Sequence, residues 1–404
     1  MGLNQKVAQF IFANWKKTIR YTPIDEDGRI GMPYPFTVPG MDGAFNELYY
    51  WDTFFTNRGL LLSERIDLAI NNCEDIASLI ERFGYMPNGS RTFYIGRSQP
   101  PYFALMARDV FEKTGDLAWF SCMLKTAEKE YDFWMTKRCA EGELNHYGSD
   151  YDDEYYSKFF SEIATRVGQQ TGRDSVEAGR CYAAEAESGW DFNPRFEGRC
   201  PDYAPVDLNS LLYMYEKIFQ QFSQELIDRD SAGWKQRAEK RKKLMESRMK
   251  DKNTGILYDY DQVKKRRSEV LSAASFWPYF VGISTEKEGL FVMLDALELP
   301  YGITATVQAP GNHQWGYGKA WAPIAMVAVE ALDHAGMEKE AVRVAQKYVD
   351  LIARNYERTG GLWEKYDAIT GEVVRGSEYE TPRMLGWTAG VYLWAMKRIG
   401  ENPT

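Results

Sequence analysis

Three short segments place a carboxylate directly after a tryptophan, one of them at Trp51-Asp52. Glu187-Ser188-Gly189-Trp190-Asp191-Phe192-Asn193-Pro194-Arg195-Phe196 does so with an aspartate, and Gly360-Gly361-Leu362-Trp363-Glu364-Lys365-Tyr366-Asp367 with a glutamate. Other segments mix aromatic, amide and charged residues in the same way. Residues 39–52 end in Tyr49-Tyr50-Trp51-Asp52. Residues 87–101 contain Pro87-Asn88-Gly89-Ser90-Arg91 and Arg97-Ser98-Gln99-Pro100-Pro101. Residues 314–323 open with Gln314-Trp315-Gly316, and Gly376-Ser377-Glu378-Tyr379 and Gly386-Trp387-Thr388 follow near the end. These are the materials of a sugar pocket. Flat rings cover the apolar faces of a pyranose, while Arg, Asn, Gln and Asp bond its hydroxyls. Two carboxyls in such a pocket can cleave a glycosidic bond. One protonates the leaving oxygen, and the other activates water or attacks the anomeric carbon. With 58 acidic side chains in the chain, composition alone does not select the pair.

The elements that must position these segments are helices. Apolar residues recur at three-to-four spacing from Leu62 to Ile80, from Leu117 to Trp134 after the N-cap candidate Asp116, and from Leu208 to Phe222. Residues 231–248 read as a charged, solvent-facing helix. Further helices are expected over 270–281, 286–297, 320–332, 339–356 and 382–399. Few segments alternate strictly, which excludes an extensive sheet. Roughly a dozen helices joined by motif-bearing loops suggest an all-α fold, either an α/α toroid or an irregular bundle. No linker or repeat divides the chain. We read one domain over residues 39–404, preceded by an N-terminal lead-in over residues 1–38.

Several function classes are disfavoured. The formal charge of −9 argues against a nucleic-acid partner. No apolar run approaches the roughly 18 residues of a membrane span. The three histidines, His146, His313 and His334, lack metal-ligand spacing. The acidic run Asp150, Asp152, Asp153 and Glu154 lacks the glycine and terminal glutamate of a calcium loop. No metal or cofactor is expected, and a small carbohydrate is the expected partner. Five cysteines, Cys73, Cys122, Cys139, Cys181 and Cys200, form no CxxC pair. Together with the absence of a charged-then-apolar leader, they suggest a cytoplasmic location.

The blocks, in their order from about Pro39 to Trp387, resemble the trehalase family of α-glycosidases and, more distantly, the processing α-glucosidases and mannosylglycerate hydrolases. Pro205-Val206-Asp207-Leu208-Asn209 belongs to the same series. The resemblance implies an (α/α)6 toroid barrel and an inverting glycoside hydrolase. It implies Asp191 as general acid and Glu364 as general base. Trp51, Asp52, Asn88, Arg97, Ser98, Gln99, Gly189 and Glu378 fall on its substrate-binding positions, with Gln314, Trp315 and Trp387 as further candidates. Trp190 and Trp363 are candidate low-dielectric walls beside the two acids.

The departures from the family pattern concern the leaving-group sugar. Ala44 stands where trehalases carry an arginine, residues 145–160 lack an Arg-Pro-Glu-Ser segment, and Gly316 replaces an aspartate. An arginine offers five donors and an alanine none. The expectation is therefore an exo-α-glucosidase acting on a small α-linked disaccharide or glucoside, with trehalose a poor substrate. Tyr147, Asp150, Tyr151 or Tyr156 would then shape the leaving-group side. The alternative is a true α,α-trehalase in which Arg166 or Arg173 reaches in from a shifted loop. A sugar isomerase would lean on histidine pairs that the chain lacks, and a non-catalytic sugar binder would have no need of both Asp191 and Glu364.

Overall fold

The computed structural model describes residues 2–43, 45–140, 142–167, 173–226, 231–374 and 382–403. Its α-helices are α1 (Leu3–Asn14), α2 (Tyr50–Leu62), α3 (Ile66–Phe83), α4 (Phe103–Thr114), α5 (Leu117–Lys137), α6 (Asp153–Val167), α7 (Ser175–Glu187), α8 (Val206–Leu226), α9 (Ser231–Met249), α10 (Trp277–Phe280), α11 (Lys287–Leu297), α12 (Ala322–His334), α13 (Glu338–Thr359) and α14 (Gly386–Arg398). Six of them follow one another around a ring. α2 packs on α4, α4 on α8, α8 on α10, α10 on α12 and α12 on α14, and α14 closes on α2. A second ring lies outside. α3 packs on α2 and α4, α5 on α4 and α8, α9 on α8, and α13 on α12 and α14. α11 lies against the short 3-10 turn before α10, and α1 against α13 and α14. The fold is a single-domain (α/α)6 toroid.

Sequence character separates the rings. The outer helices α3 and α13 bury one stripe each, Leu68, Cys73, Ile76 and Ile80 in α3 and Val344, Tyr348, Val349 and Ile352 in α13. Inner helices such as α12 and α14 are buried around nearly the whole circumference, as a helix enclosed on all sides must be. The ring closes through two glycines. A Cβ on Gly59 would stand 2.4 Å from Gly390 Cα, and one on Gly390 2.1 Å from the Phe55 carbonyl oxygen. Any side chain at either position would push α2 and α14 apart.

Several expected elements differ. The helix expected over 270–281 is a 3-10 turn (Ala273–Phe276) followed by the four-residue α10. Residues 271–273 are drawn out instead, because Ser272 pairs with Thr306 and the Ala273 N–H donates to the Ala305 carbonyl. α12 starts at Ala322, because Lys319–Trp321 pairs antiparallel with Lys365–Asp367. α1, α2, α4, α6 and α7 fall outside the expected helices, and the helix expected from Leu62 to Ile80 is α3, which starts at Ile66. α1 lies within the lead-in segment and buries Val7, Ala8 and Ile11. Asp116 caps α5 as expected, accepting the Trp119 N–H. The acidic run begins α6, where Asp152 accepts the Tyr155 N–H.

α6 and α7 pack on each other as a hairpin. They have a hydrophobic cluster of their own, centred on Tyr156, Ile163, Tyr182 and Phe192 and separate from the main core.

Candidate active site

Loops and helix ends meet at one end of the inner ring around a cavity of about 190 Å³. That is smaller than the roughly 300–1,000 Å³ of drug-sized sites and suits a compact polar ligand. The first turn of α2 supplies Trp51 and Asp52, and the first turn of α14 supplies Trp387. The loops before α4 supply Asn88, Arg97 and Gln99. The end of α7 and the loop after it supply Gly189 and Asp191. The loop before α12 supplies Gln314 and Trp315, and the turn after α13 supplies Glu364. Asp191 and Glu364, far apart in sequence, thus line one cavity.

The apolar wall is a chain of indoles. Trp315 stacks on Trp321 with centroids 3.8 Å apart and planes 3° from parallel, and on Trp190 at 5.0 Å. Trp51 lies 5.5 Å from Trp315 and 5.9 Å from Trp387. The polar wall is tied to the helix ends. The Tyr50 and Trp51 N–H groups, orphaned at the start of α2, donate to the Asn88 carbonyl and to Gln99 Oε1. Gln99 is thereby held beside Asp52.

Three carboxyls share the cavity. Burial pushes Asp191 up from the ordinary carboxylate range; the Arg166 and Arg97 cations pull it down, and Glu364 adds to the rise. Arg166, from the last turn of α6, lies 3.4 Å from Asp191 Oδ2 and donates to Gln314 Oε1 at 2.7 Å. Glu364 Oε2 accepts from the Lys365 ammonium at 2.9 Å. Asp52 is pushed up to about 7, chiefly by burial, with Glu364 and Asp191 adding to it. A carboxyl raised by burial, beside one paired with an ammonium, can divide acid and base duties.

Several expected contacts are corrected. Ser98 does not line the cavity. It is fully buried, its hydroxyl donates to the Met86 carbonyl, and its N–H donates to Glu187. Trp190 stands behind Trp315 rather than on the wall, with the Arg195 guanidinium 4.6 Å from its ring centroid. Trp363 is likewise off the wall, its indole N–H bonded to Thr359. Tyr147 and Tyr156 are buried in the two cores. Arg173 turns to the Gly198 carbonyl and Cys181. Ala44 and Glu378 lie outside the described residues.

The structure also adds residues that the blocks did not single out for the site. Tyr49, Tyr94, Trp321 and Arg166 line the cavity. Glu187, wholly buried, accepts from Arg138 Nε at 2.9 Å and Nη2 at 3.1 Å, from the Ser98 N–H at 2.8 Å and from the Gly148 N–H at 2.7 Å. One carboxylate therefore clasps the Arg97–Gln99 loop and the loop before α6 to the helix that leads into Asp191. Glu187 and Ser98 were both visible in the motifs, but nothing in their spacing pairs them with each other or with Arg138.

The family profile for trehalases matches residues 3–400. This chain belongs to the trehalase family. It is 34% identical over 400 residues to the periplasmic trehalase of Pseudomonas aeruginosa, a match covering 92% of this chain and 72% of that enzyme. Among solved structures it is similar to the neutral trehalase of Saccharomyces cerevisiae, with TM-score 0.79, 25% identity, and coverage of 97% and 80% of the two chains. The mannosylglycerate hydrolase of Thermus thermophilus shares the fold, with TM-score 0.63 at 15% identity, covering 96% of this chain and 99% of that one. The trehalase-family chain is a glycoside hydrolase acting on an α-linked disaccharide. The cytoplasmic expectation is corrected by the bacterial relative, which is a periplasmic enzyme by name. All five cysteines are free thiols. Burial pushes Cys73 and Cys200 well up, so they are unreactive. Among the described residues no helix is long and apolar enough to cross a membrane.

Proposed function

We propose that the enzyme hydrolyses its α-linked disaccharide with inversion, Asp191 serving as general acid and Glu364 as general base, and that α,α-trehalose is its substrate. Asp191 gives its proton to the glycosidic oxygen as the bond to the anomeric carbon breaks. Glu364 takes a proton from the water that attacks the opposite face of the ring. Trp51, Asp52, Gln99 and Trp387 hold the glucose being cleaved. The periplasm is the compartment that the relatives support.

The observation that carries the trehalose reading is Arg166. The first block lacks the family's arginine, but α6 delivers a guanidinium to Asp191 and Gln314 from another direction. A cation on the leaving-group side of the acid restores charge-assisted bonds worth roughly 1.5–3 kcal/mol each to a sugar hydroxyl. This favours the relocated-arginine alternative over the reading in which trehalose is poor. Steady-state kinetics on a panel of α-linked glucose disaccharides and small α-glucosides tests it. Trehalose should give the highest kcat/KM. A tenfold preference for another member would overturn the substrate assignment while leaving the acid and base in place.

A further inference from the structure

Both ends of the segment that carries Asp191 are held by one residue that the reaction does not use. The backbone carbonyl of Glu185 accepts from Ser188, from Oγ at 2.6 Å and from the N–H at 3.0 Å. Its side-chain Oε1 accepts the Asn193 N–H at 2.6 Å. Asn193 passes the constraint inward, donating from Nδ2 to the Trp190 carbonyl at 2.7 Å and accepting the Arg195 N–H at 2.9 Å. Residues 188–193 are therefore pinned onto the last turn of α7, and Asp191 is held within the span. Glu185 is fully buried and does not line the cavity. Its second oxygen, Oε2, is buried without a hydrogen-bond partner among the described residues. An ionised carboxyl with an orphan oxygen in a buried wall is strongly disfavoured, which favours the neutral form of the group. Burial, reinforced by the nearby Asp191, raises the group to about 8, in keeping with a neutral carboxyl.

We propose that Glu185 is a positioning residue for the general acid: its neutral carboxyl fixes the Asn193 amide and so sets where Asp191 presents its proton to the glycosidic oxygen. The proposal rests on the reading of Asp191 as the acid. Proton transfer is sensitive to small displacements, and errors of about 1 Å can cost on the order of 10²-fold. A defect in positioning the acid has a signature that general loosening lacks. It hurts substrates whose leaving group needs a proton and spares those whose leaving group does not.

The test compares an α-linked glucose disaccharide with α-glucosyl fluoride, whose fluoride departs with little acid assistance. Glu185→Ala should lower kcat on the disaccharide roughly 10–100-fold with KM little changed, and lower it on the fluoride less than about threefold. Glu185→Gln keeps an oxygen for the Asn193 N–H and should stay within about threefold of the parent on both. Glu185→Asp, one methylene short of that N–H, should behave like Ala and carries the test if the Ala variant does not fold. Equal losses on both substrates, no loss on the disaccharide, or a Gln variant as poor as Ala would overturn the proposal. Asp191→Asn is the control. If it lacks this leaving-group selectivity, the assignment of the acid itself fails. If it shows the selectivity and the Glu185 variants do not, only the role of Glu185 falls.

Discussion

One part of the cavity wall is continuous with the main core of the toroid, and another is carried by a hairpin with a core of its own. Trp51, Asp52, Trp315 and Trp387 stand at or just before the starts of inner-ring helices and Glu364 in the turn after α13, backed by indoles packed 3.8 to 5.9 Å apart. Arg166 comes from α6, whose apolar face packs on α7 around Tyr156, Ile163 and Phe192. Asp191 is where the two regions meet. It follows α7, its segment pinned to the last turn of that helix by Glu185, while Glu187 ties the helix end to the Arg97–Gln99 loop and the loop before α6. Most of the family blocks lie on the core-backed wall, while residues 153–160, part of a segment that departs from the family pattern, lie on the hairpin. Chemistry common to a family sits where a change would disturb the main core. Arg166, proposed here to meet the leaving group, sits on that hairpin.

If this division holds, the deepest losses come from the carboxyls themselves. Asp191→Asn and Glu364→Gln should each lower turnover of the disaccharide by about 10²–10⁴-fold, with an unchanged circular-dichroism spectrum and melting transition. A folded variant with near-parental activity would remove that residue from the mechanism. The clasp that joins the two regions should show itself in stability. Arg138→Met leaves Glu187 buried without its counter-ion, and breaking such a pair costs roughly 3–5 kcal/mol, readable by denaturant unfolding. A loss under about 1 kcal/mol, the scale of an exposed pair, would mean that the clasp does not hold the loops.

Substitutions on the hairpin should act selectively. Arg166→Met should reduce kcat/KM for the disaccharide by about 10–100-fold, the equivalent of one charge-assisted bond of roughly 1.5–3 kcal/mol, while hydrolysis of methyl α-glucoside changes little. It should also shift the pH profile. As the proposed general acid, Asp191 would act in its protonated form, so its titration would set the alkaline limb of activity. The Arg166 cation pulls Asp191 down, so removing it raises the acid and moves that limb to higher pH. An unmoved or lowered limb would separate Arg166 from the acid. Ile163→Val should cost only about 0.5–1.5 kcal/mol. Its effect on amide hydrogen exchange should be confined to α6 and α7, without reaching α2 or α14. Faster exchange in the ring helices would show that the hairpin shares their core.

Much of this was legible in the sequence, for identifiable reasons. α3, α5, α9 and α13 are outer helices with one buried or one charged face, so their periodicity shows. α4 is short and opens on the consecutive apolar run Phe103–Ala107, which by itself reads as neither helix nor strand, and the extended residues 271–273 owe their shape to pairing with residues some thirty positions on. The residues proposed as acid and base, and most of the cavity lining, lie in contiguous motifs, and the resemblance to the family, not the residues alone, singles out the pair. Ser98 and Trp190 sit inside those motifs but act through a backbone N–H and a stacking face, which a motif does not distinguish from a substrate contact. Arg166 was named only as an alternative. Its segment continued from a stretch read as loop, and only the turn count of α6 aims it at Asp191. The clasp of Glu187 and Arg138 spans 49 residues and has no local signature.

The central claim is that Asp191 and Glu364 work as acid and base on one water-mediated displacement. NMR of the sugar anomers in the first minutes of trehalose turnover tests it most directly, before mutarotation blurs the result. Both anomeric centres of trehalose are α. Inversion at one of them releases β-glucose from the attacked ring and an equal amount of α-glucose from the leaving one. Early signals in that equal proportion are the predicted result. Early release of α-glucose alone, or a glucosyl group trapped on Glu364, would contradict the account.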